Sequence, residues 1–580
     1  MRIVATSTSL LLLLSGHEVH SFSLPLLSTS ASTVAPSKSK IQRSKEEIKS
    51  LQDQTEAALK RHHDTDSWNA LFVSCPERPD PMAIAKEEGT IPADFPPGAY
   101  LRVGPNGADA TDGFYDGDGM IHCVTFPPKS KEPKMRPTYS ATYIDTKGRQ
   151  LEQQSGKKFQ GTLSGVPRGL PMIQSIVSNA LAFRTLQAQK DTCNTALAEH
   201  GGKILALMEQ CPPSEVEIGQ DGRLRTVEAS SSLNGAIDTT IPISGGVLSA
   251  HGRTCPKTGD RIHVSYRSDQ QPYLRMDVFA PGFALKESVG IDIPTPIFSH
   301  DCAITENYAV VLDLPLTLRT NRILRDKFPV EYEPDHPARI GLVPRGDNNK
   351  GEIRWFDCEP GVVLHAVNAW ETDDANTVIV QGFRSEPIPQ ACYLEQFAPS
   401  YYYEYSIDLT TGVVTEQTLN PEHVVEFPVI NEKLTGLECP ACYCLSAKSI
   451  GGPLEVYAQP QEGVIFGAIA KLAAVDSDKF NKGDVVGKFA MPEGFAVMTE
   501  PTVVPKVDQD GEYILIIANY VPKGVNWKDV ANDYDAAPIQ SKVMMLDGDD
   551  LDAGPVYSAT LPYHVPYGLH SGFIDWKNLK

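Results

Sequence analysis

Ionisable side chains end or interrupt apolar, strand-like runs at seven places in this sequence. Four are imidazoles, found in "GGVLSAHG", "PIFSHD", "GVVLHAV" and "PYGLHSG": His251, His300, His365 and His570. Three are carboxylates, found in "KILALMEQ", "HVVEFPV" and "FAVMTEP": Glu209, Glu426 and Glu500. Burying one such group without a partner costs free energy. The repeated placement therefore predicts that these side chains meet around something positively charged.

Four neutral imidazoles can bind a divalent first-row metal through one ring nitrogen each. Their other ring N–H groups then need acceptors, and three carboxylates can supply them. A ligand set without carboxylate or thiolate argues against magnesium and calcium. Four ligands would complete the coordination of zinc. Iron(II) takes more than four ligands, so four imidazoles would leave positions open for dioxygen and substrate. The residue types alone leave zinc and iron as alternatives.

The elements that must position these side chains are short strands. From residue 68 to residue 580, runs rich in Val, Ile, Tyr and Phe alternate with turn residues, and the chain holds 44 Gly and 45 Pro. The seven ionisable residues follow one another at intervals of roughly 40 to 75 residues, the size of a four-stranded propeller blade. We predict an all-β, seven-bladed β-propeller in which each inner strand offers one of the seven side chains to the central axis.

Charge and cysteine content exclude several classes of protein. The 52 Lys and Arg residues are outnumbered by 73 Asp and Glu, giving a net charge of −21 that repels nucleic acid. The 11 Cys are scattered, which is not typical of a disulfide framework. "CPACYC" lacks a fourth zinc ligand and favours a buried strand. "YDGDGMIH" has Met120 where a calcium loop needs an oxygen ligand, so His122 and its neighbours are interpreted as structural.

The N-terminal region differs in composition from the rest. Residues 1–21 contain a short apolar core and are predicted to be a signal peptide, and residues 22–45 lack acidic residues and resemble a plastid transit peptide. Residues 46–67 are predicted to be a polar helical extension. This combination favours delivery to a plastid, and plain secretion with a linker is the alternative.

One apolar segment has helical periodicity. Residues 170–187 place Met172, Ile173, Ile176 and Leu181 on one helix face. Such a helix could cover one end of the β domain. Alternatively it could enter a membrane surface, where an apolar substrate would be found. We predict peripheral membrane association; the oligomeric state stays open.

Motifs from about residue 68 to the C-terminus resemble the carotenoid cleavage oxygenase family. They occur in family order and include "PPGAYLRVGPNG", "FYDGDGMIHCVTF", "LSAHGRTCPKTGD", "FSHDCAITENYAVVLDLPL", "EFPVINEKLTG", "EPTVVP" and "PYGLHSGFI". The resemblance implies a seven-bladed propeller with a non-haem iron(II) on its axis and a helical cap over one face.

The resemblance also implies roles for individual residues. The iron ligands would be His251, His300, His365 and His570. The carboxylates behind them would pair Glu209 with His300, Glu426 with His365 and Glu500 with His570, leaving His251 without one. Thr195 matches a position whose side chain leans towards an open iron position. Gly252 stands where the family usually has Pro. This departure removes no ligand, but it leaves the substrate fit and the cleavage position open.

The activity implied is oxidative cleavage of a conjugated C=C bond in a carotenoid or apocarotenoid by dioxygen, giving two carbonyl products. No side chain is needed as nucleophile or general base. Three alternatives remain on the same scaffold: cleavage of a stilbene-type olefin, a retinoid-type isomerohydrolase, which fits a plastid poorly, and a non-catalytic, metal-stabilised propeller that binds carotenoid or a partner protein.

Overall fold

The structure is a computed structural model. It describes residues 70–106, 114–128, 136–161, 168–184, 189–239, 247–346, 351–385, 400–446, 457–459, 463–497, 499–522 and 524–578. The predicted signal peptide (1–21), transit-like leader (22–45) and helical extension (46–67) lie outside the described residues.

The first sheet joins the two ends of the described chain, and the second follows it along the sequence. The first has strand order β1-β5-β4-β3-β35, with the bounds β1 (Arg78–Ala83), β3 (Gly98–Asn106), β4 (Asp118–Phe126), β5 (Thr138–Tyr143) and β35 (Ser571–Asp575). The second sheet consists of β6 (Ala196–His200), β7 (Lys203–Leu207), β8 (Ser214–Ile218) and β9 (Leu224–Glu228). Because the last strand, β35, pairs with β3, the C-terminus closes the ring of sheets.

The third, fourth and fifth sheets are four-stranded antiparallel meanders. The third contains β10 (Gly252–Thr254), β11 (Arg261–Tyr266), β12 (Leu274–Ala280) and β13 (Ala284–Ile291). The fourth contains β14 (Ala303–Ile304), β15 (Tyr308–Asp313), β18 (Arg339–Pro344) and β19 (Arg354–Asp357), with the ribbon β16 (Leu316–Leu318) and β17 (Val330–Tyr332) inserted. The fifth contains β20 (Val362–Glu371), β21 (Thr377–Ser385), β22 (Ser400–Asp408) and β23 (Val414–Asn420).

The last two sheets complete the propeller. The sixth contains β24 (Val425–Val429), β25 (Ala441–Ser446), β28 (Ala468–Ala473) and β29 (Val485–Ala490), with the ribbon β26 (Tyr457–Gln459) and β27 (Gly463–Ile465). The seventh contains β30 (Phe495–Val497), β31 (Thr502–Pro505), β32 (Glu512–Tyr520), β33 (Gln540–Asp547), β34 (Pro555–Thr560) and, at its outer edge, β2 (Lys86–Gly89). The predicted seven-bladed β-propeller is confirmed.

Strand β32 shows why the strands read as continuous apolar runs. Its alternate residues Leu515 and Ile517 belong to one buried cluster, and Ile514 and Ile516 belong to another. Successive side chains of a strand point to opposite faces. Because each blade is packed between two neighbours, both faces are buried, and the polar alternation of a half-exposed sheet is absent.

α-Helices are few among the described residues. They are α1 (Lys147–Ser155) and α2 (Leu170–Phe183), both in the connection from the first to the second sheet, and α3 (Trp527–Asn532) in the seventh. The predicted helix at 170–187 therefore begins as expected but ends at Phe183, and residues 185–188 lie outside the described residues. Within the described part of the chain, we find no helix with the length and apolar character to cross a bilayer.

Candidate metal centre

The four histidines occupy equivalent places in four different sheets. His251 directly precedes β10, His300 precedes β14 by three residues, His365 lies in β20, and His570 directly precedes β35. Each of these strands lies at the end of its sheet's strand order. The structure therefore brings the four imidazoles from the third, fourth, fifth and first sheets to one place.

Their ring nitrogens converge closely. One nitrogen from each ring lies within 4.8 Å of the others. The Nε2 atoms of His251 and His300 are 3.1 Å apart, and ring centres lie 4.4 Å apart for His251 and His570 and 5.2 Å apart for His365 and His570. His365 and His570 are buried, whereas His251 and His300 are half-buried.

Three of the rings are backed by a carboxylate at Nδ1. The Nδ1 atom of His300 lies 3.1 and 2.9 Å from the two carboxylate oxygens of Glu209. The corresponding distance is 2.6 Å from His365 to Glu426 and 2.9 Å from His570 to Glu500. A ring that donates its Nδ1 proton to a carboxylate keeps a free lone pair on Nε2. These contacts therefore leave Nε2 of each ring available to a shared cation.

The carboxylates are themselves held in place. Glu426 accepts a hydrogen bond from the main-chain N–H of Phe427 at 2.6 Å, and Glu500 accepts one from Ser571 at 2.8 Å. The hydroxyl of Tyr266 donates to Glu209 at 3.3 Å. Further hydrogen bonds of this kind fix the orientation of the carboxylate and, through it, that of the imidazole.

The strand that carries Glu209 differs from the one predicted from the sequence. Glu209 follows β7, the second strand of its sheet, so the prediction that each inner strand supplies one of the seven residues is wrong here. The residue directly before the inner strand β6 is Thr195. Its main-chain carbonyl accepts a hydrogen bond from the N–H of His570 at 3.3 Å, and its hydroxyl donates to Asn194 at 3.2 Å. Thr195 thus lies beside the histidine cluster and is half-buried.

The electrostatics of the cluster suit a bound cation. Burial, together with the other three imidazoles, holds the pKa of His251 well below its usual value, so this ring is neutral. For His365 burial acts in the same direction, but the Glu426 carboxylate outweighs it and raises the pKa. Nε2 of His365 is buried and has no hydrogen-bond partner among the described residues. An orphaned, buried nitrogen that faces three other imidazoles fits a metal ligand.

Two aromatic rings that sequence reasoning missed lie against the cluster. Phe298 stacks on His300, with ring centres 5.7 Å apart and planes 11° apart. Phe427 lies 5.4 Å from His365 and 5.5 Å from His570, and its φ of 55° is unusual for a bulky residue. Their positions in the sequence could have indicated this, because Phe298 is two residues before His300 and Phe427 directly follows Glu426.

The calcium-like motif has a different environment. Asp118 binds Lys190 at 2.6 Å and Arg149 at 3.3 Å, so its carboxylate is occupied by cationic side chains. His122 lies in β4, and its Nδ1 is 2.9 Å from the Tyr139 hydroxyl. Both residues therefore make contacts within the first sheet and its surroundings, outside the axial cluster.

Comparison with known proteins identifies the family. A family model described as retinal pigment epithelial membrane protein, RPE65, matches residues 72–575. The chain belongs to the RPE65/carotenoid cleavage oxygenase family. It is 30% identical over 508 residues to carotenoid 9,10(9',10')-cleavage dioxygenase 1 of Arabidopsis thaliana, covering 83% of this chain and 85% of the relative. The protein of the same description from Phaseolus vulgaris is 28% identical over 549 residues, covering 90% and 91%.

A further relative and two solved structures complete the comparison. The rice protein described as 9-cis-epoxycarotenoid dioxygenase NCED1, chloroplastic, is 27% identical over 530 residues, covering 88% of this chain and 75% of the relative. Cobalt-substituted apocarotenoid oxygenase of Synechocystis is 23% identical with a TM-score of 0.67, covering 88% and 98%. Lignostilbene dioxygenase of Pseudomonas brassicacearum is 21% identical with a TM-score of 0.68, covering 87% and 97%. The two structures share the propeller fold.

Proposed function

We propose that this family member is a non-haem iron(II) dioxygenase that cleaves a conjugated C=C bond of a carotenoid or apocarotenoid. The observation that carries the proposal is the convergence of four imidazoles, three of them backed by carboxylates. In this reaction one O2 is consumed per alkene and each alkene carbon becomes a carbonyl carbon. The names of the bean and Arabidopsis relatives support a carotenoid as the substrate class.

The metal would be held by His251, His300, His365 and His570 through nitrogen alone. Ferrous iron held by these four imidazoles would supply the redox chemistry with dioxygen that zinc does not offer. The cobalt-substituted relative supports a first-row divalent metal in such a propeller.

The protein's own residues orient and shield this centre. Glu209, Glu426 and Glu500 accept hydrogen bonds from the Nδ1–H groups. These bonds fix the orientation of the rings and raise the basicity of the coordinating nitrogens. Phe298 and Phe427 present aromatic faces beside the imidazoles, and such faces can pack against a polyene without offering it a proton. Neither a nucleophile nor a general base is required.

Anaerobic reconstitution tests this function. The purified chain is loaded with ferrous iron without oxygen, then given isotopically labelled O2 and separate carotenoid, apocarotenoid, stilbene and retinyl ester substrates. We expect pairs of aldehyde or ketone products from a carotenoid or apocarotenoid, with label in both carbonyls. Cleavage of only the stilbene, isomerisation of the retinyl ester, or iron binding without turnover of any substrate would each contradict the proposal.

The helix α2 supports a peripheral membrane role for the enzyme. It contains no acidic or basic residue, and its Leu170 and Leu181 are 71% and 76% exposed. It contacts the 3₁₀ helix Thr320–Arg325, whose Leu324 is 54% exposed. Burying such leucines in the interfacial region of a bilayer is favourable.

A double substitution tests the membrane role. Leu170→Ser with Leu181→Ser is expected to weaken co-sedimentation with liposomes. A matched control is Leu285→Ser, at a 40% exposed leucine of β13, which should bind liposomes like the wild type. Equal binding by all three proteins would refute the membrane role of α2.

The leader is proposed to deliver the protein to a plastid through residues 1–21 and 22–45. The absence of acidic residues from 22–45 supports this, as does the chloroplastic rice relative. A fluorescent protein fused to residues 1–67 and expressed in an alga with complex plastids should accumulate in the plastid. Secretion of the fusion would instead support the alternative.

A further inference from the structure

His251 differs from the other three axial imidazoles. Among the described residues, no hydrogen bond links it to a carboxylate, whereas His300, His365 and His570 each contact a Glu. Its main chain is fixed by Ser249, whose hydroxyl accepts from the His251 N–H at 3.1 Å and donates to its carbonyl at 2.9 Å. This clamp fixes the backbone of His251 within its own sheet. It does not fix the position of His251 relative to the other imidazoles.

A partly buried ion pair links the chain at His251 to the chain at the other imidazoles. Arg253, two residues after His251, pairs through Nη2 with Oδ2 of Asp301, the residue next to His300. The side chain of Asp301 is 2% exposed and that of Arg253 is 24% exposed. Removing one partner of such a pair leaves an uncompensated charge beside the other, which is destabilising. The two side chains therefore hold each other in place.

Both members of the pair also bind the main chain beside other histidines. Arg253 donates through Nε to the carbonyl of Cys302 at 2.9 Å and through Nη2 to the carbonyl of Ala366 at 2.9 Å. Asp301 accepts from the N–H of Cys302 at 2.7 Å and from that of Ala366 at 3.0 Å. Since Ala366 follows His365, the pair joins the chain at His251, His300 and His365, in three separate sheets.

The charges of the pair also matter for a cation site. A lone guanidinium this close to the imidazoles would repel a divalent metal. Asp301 neutralises it, so Arg253 can use its fork of donors as a planar cross-link without opposing the metal. Lysine carries the same charge but offers no such fork.

We infer that Arg253 and Asp301 position His251 relative to His300 and His365, in place of the carboxylate that His251 lacks. This inference rests on the proposed metal site. The two residues act through the main chain on either side of the imidazoles, so they are positioning residues and do not touch the metal.

A similar pair that lies wholly within the fourth sheet provides a matched control. Asp313 is buried and accepts from Arg339 at 2.8 Å and from His336 at 2.9 Å. Asp313 and Arg339 are paired across β15 and β18. The pair therefore stabilises one blade and is not linked to an axial histidine.

The test measures binding of Co²⁺ to the metal-free full chain, by competition with a chromophoric chelator and by the cobalt d–d absorption spectrum. Arg253→Lys is expected to lower Co²⁺ affinity about 10- to 100-fold and to alter the d–d bands. Arg339→Lys is expected to keep the wild-type affinity and spectrum. If Arg253→Lys does not fold, the charge-neutral double variant Arg253→Gln, Asp301→Asn is measured instead, with the same expectation.

The outcomes separate this inference from the proposed function. If the wild type and Arg253→Lys bind Co²⁺ with equal affinity and identical spectra, the positioning role is refuted and the metal site stands. An equal loss in Arg339→Lys would also refute it, because the loss would then reflect general destabilisation. If the wild type itself binds no Co²⁺, both the metal site and this inference fail.

Discussion

His365 and His570 on the propeller axis are buried, and so are His122 and His564 away from the axial cluster, but the neighbours of the two pairs differ. The two axial rings each contact a carboxylate and face other imidazoles. His122 instead contacts the Tyr139 hydroxyl, and His564 stacks on Tyr534 with ring centres 3.7 Å apart.

The surrounding charge sharpens this contrast. Burial, reinforced by the Arg102 guanidinium, holds the pKa of His122 well below its usual value. A cationic side chain next to His122 disfavours a metal cation there, whereas carboxylates behind the axial rings favour one. Burial of a histidine is therefore a weak sign of a metal site. Convergence of several rings with carboxylates behind them is a much stronger one.

The largest expected effect comes from removing one axial ring. His365→Ala should abolish both bound iron and double-bond cleavage, because three imidazoles remain and Glu426 is left without its partner. Metal analysis of the purified protein and product analysis check this. The comparison variant, His122→Gln, should retain iron although it disturbs the contact with Tyr139. Iron loss in His122→Gln, or full activity in His365→Ala without iron, would break the contrast between the two regions.

The carboxylates should matter less than the rings. Glu426→Gln is expected to lower iron affinity or the cleavage rate about 10- to 100-fold, because an amide accepts the Nδ1 proton of His365 more weakly. Glu404→Gln is the control: Glu404 is buried and binds Lys482 and Gln381, away from the axial residues. Wild-type iron affinity and rate in Glu426→Gln would refute the supporting role of this carboxylate.

In the region of His122 and His564, the expected effect is on the pH dependence of stability. Burial lowers the pKa of His564 to about 3, against about 6.5 in an unfolded chain. The unfolded chain therefore binds a proton that the folded chain does not, and stability present above pH 6.5 is lost as pH falls towards 3. When the pH falls from 7 to 5.5, this one group should lower the free energy of unfolding by about 1 kcal/mol.

The variant His564→Phe isolates that contribution. Its free energy of unfolding, measured by denaturant at both pH values, should fall by about 1 kcal/mol less than that of the wild type. An identical pH dependence in the two proteins would show that folding leaves the pKa of His564 unchanged and would contradict the prediction.

The smallest effect is expected at Thr195. Its link to His570 is made by its main-chain carbonyl, so Thr195→Val should leave the iron content unchanged. Any change should be confined to the cleavage rate, through the lost hydroxyl. Metal analysis decides, and loss of iron would mean that the hydroxyl itself supports the centre.

Much of this fold was predictable because a blade imposes a repeat on the sequence. The intervals between ionisable residues reflect blade length, and the apolar runs reflect burial on both faces. The strand that carries Glu209 was not predictable. Spacing alone cannot tell whether a residue follows the first or the second strand of its sheet.

Contacts between distant segments were also invisible in the sequence. Arg253 and Asp301 each sit beside a predicted ligand, but nothing local indicates that they pair with each other and with Ala366. Phe427 adopts a positive φ that its residue type argues against. Such features arise from how blades meet at the axis, which depends on the assembled propeller.

X-ray absorption at the iron edge of the reconstituted, substrate-free protein tests the central claim most directly. We expect scattering from four imidazole rings, bound through nitrogen, with no sulfur ligand and no protein carboxylate bound to the iron. A spectrum that requires a glutamate or cysteine ligand, or fewer than four imidazoles, would contradict it.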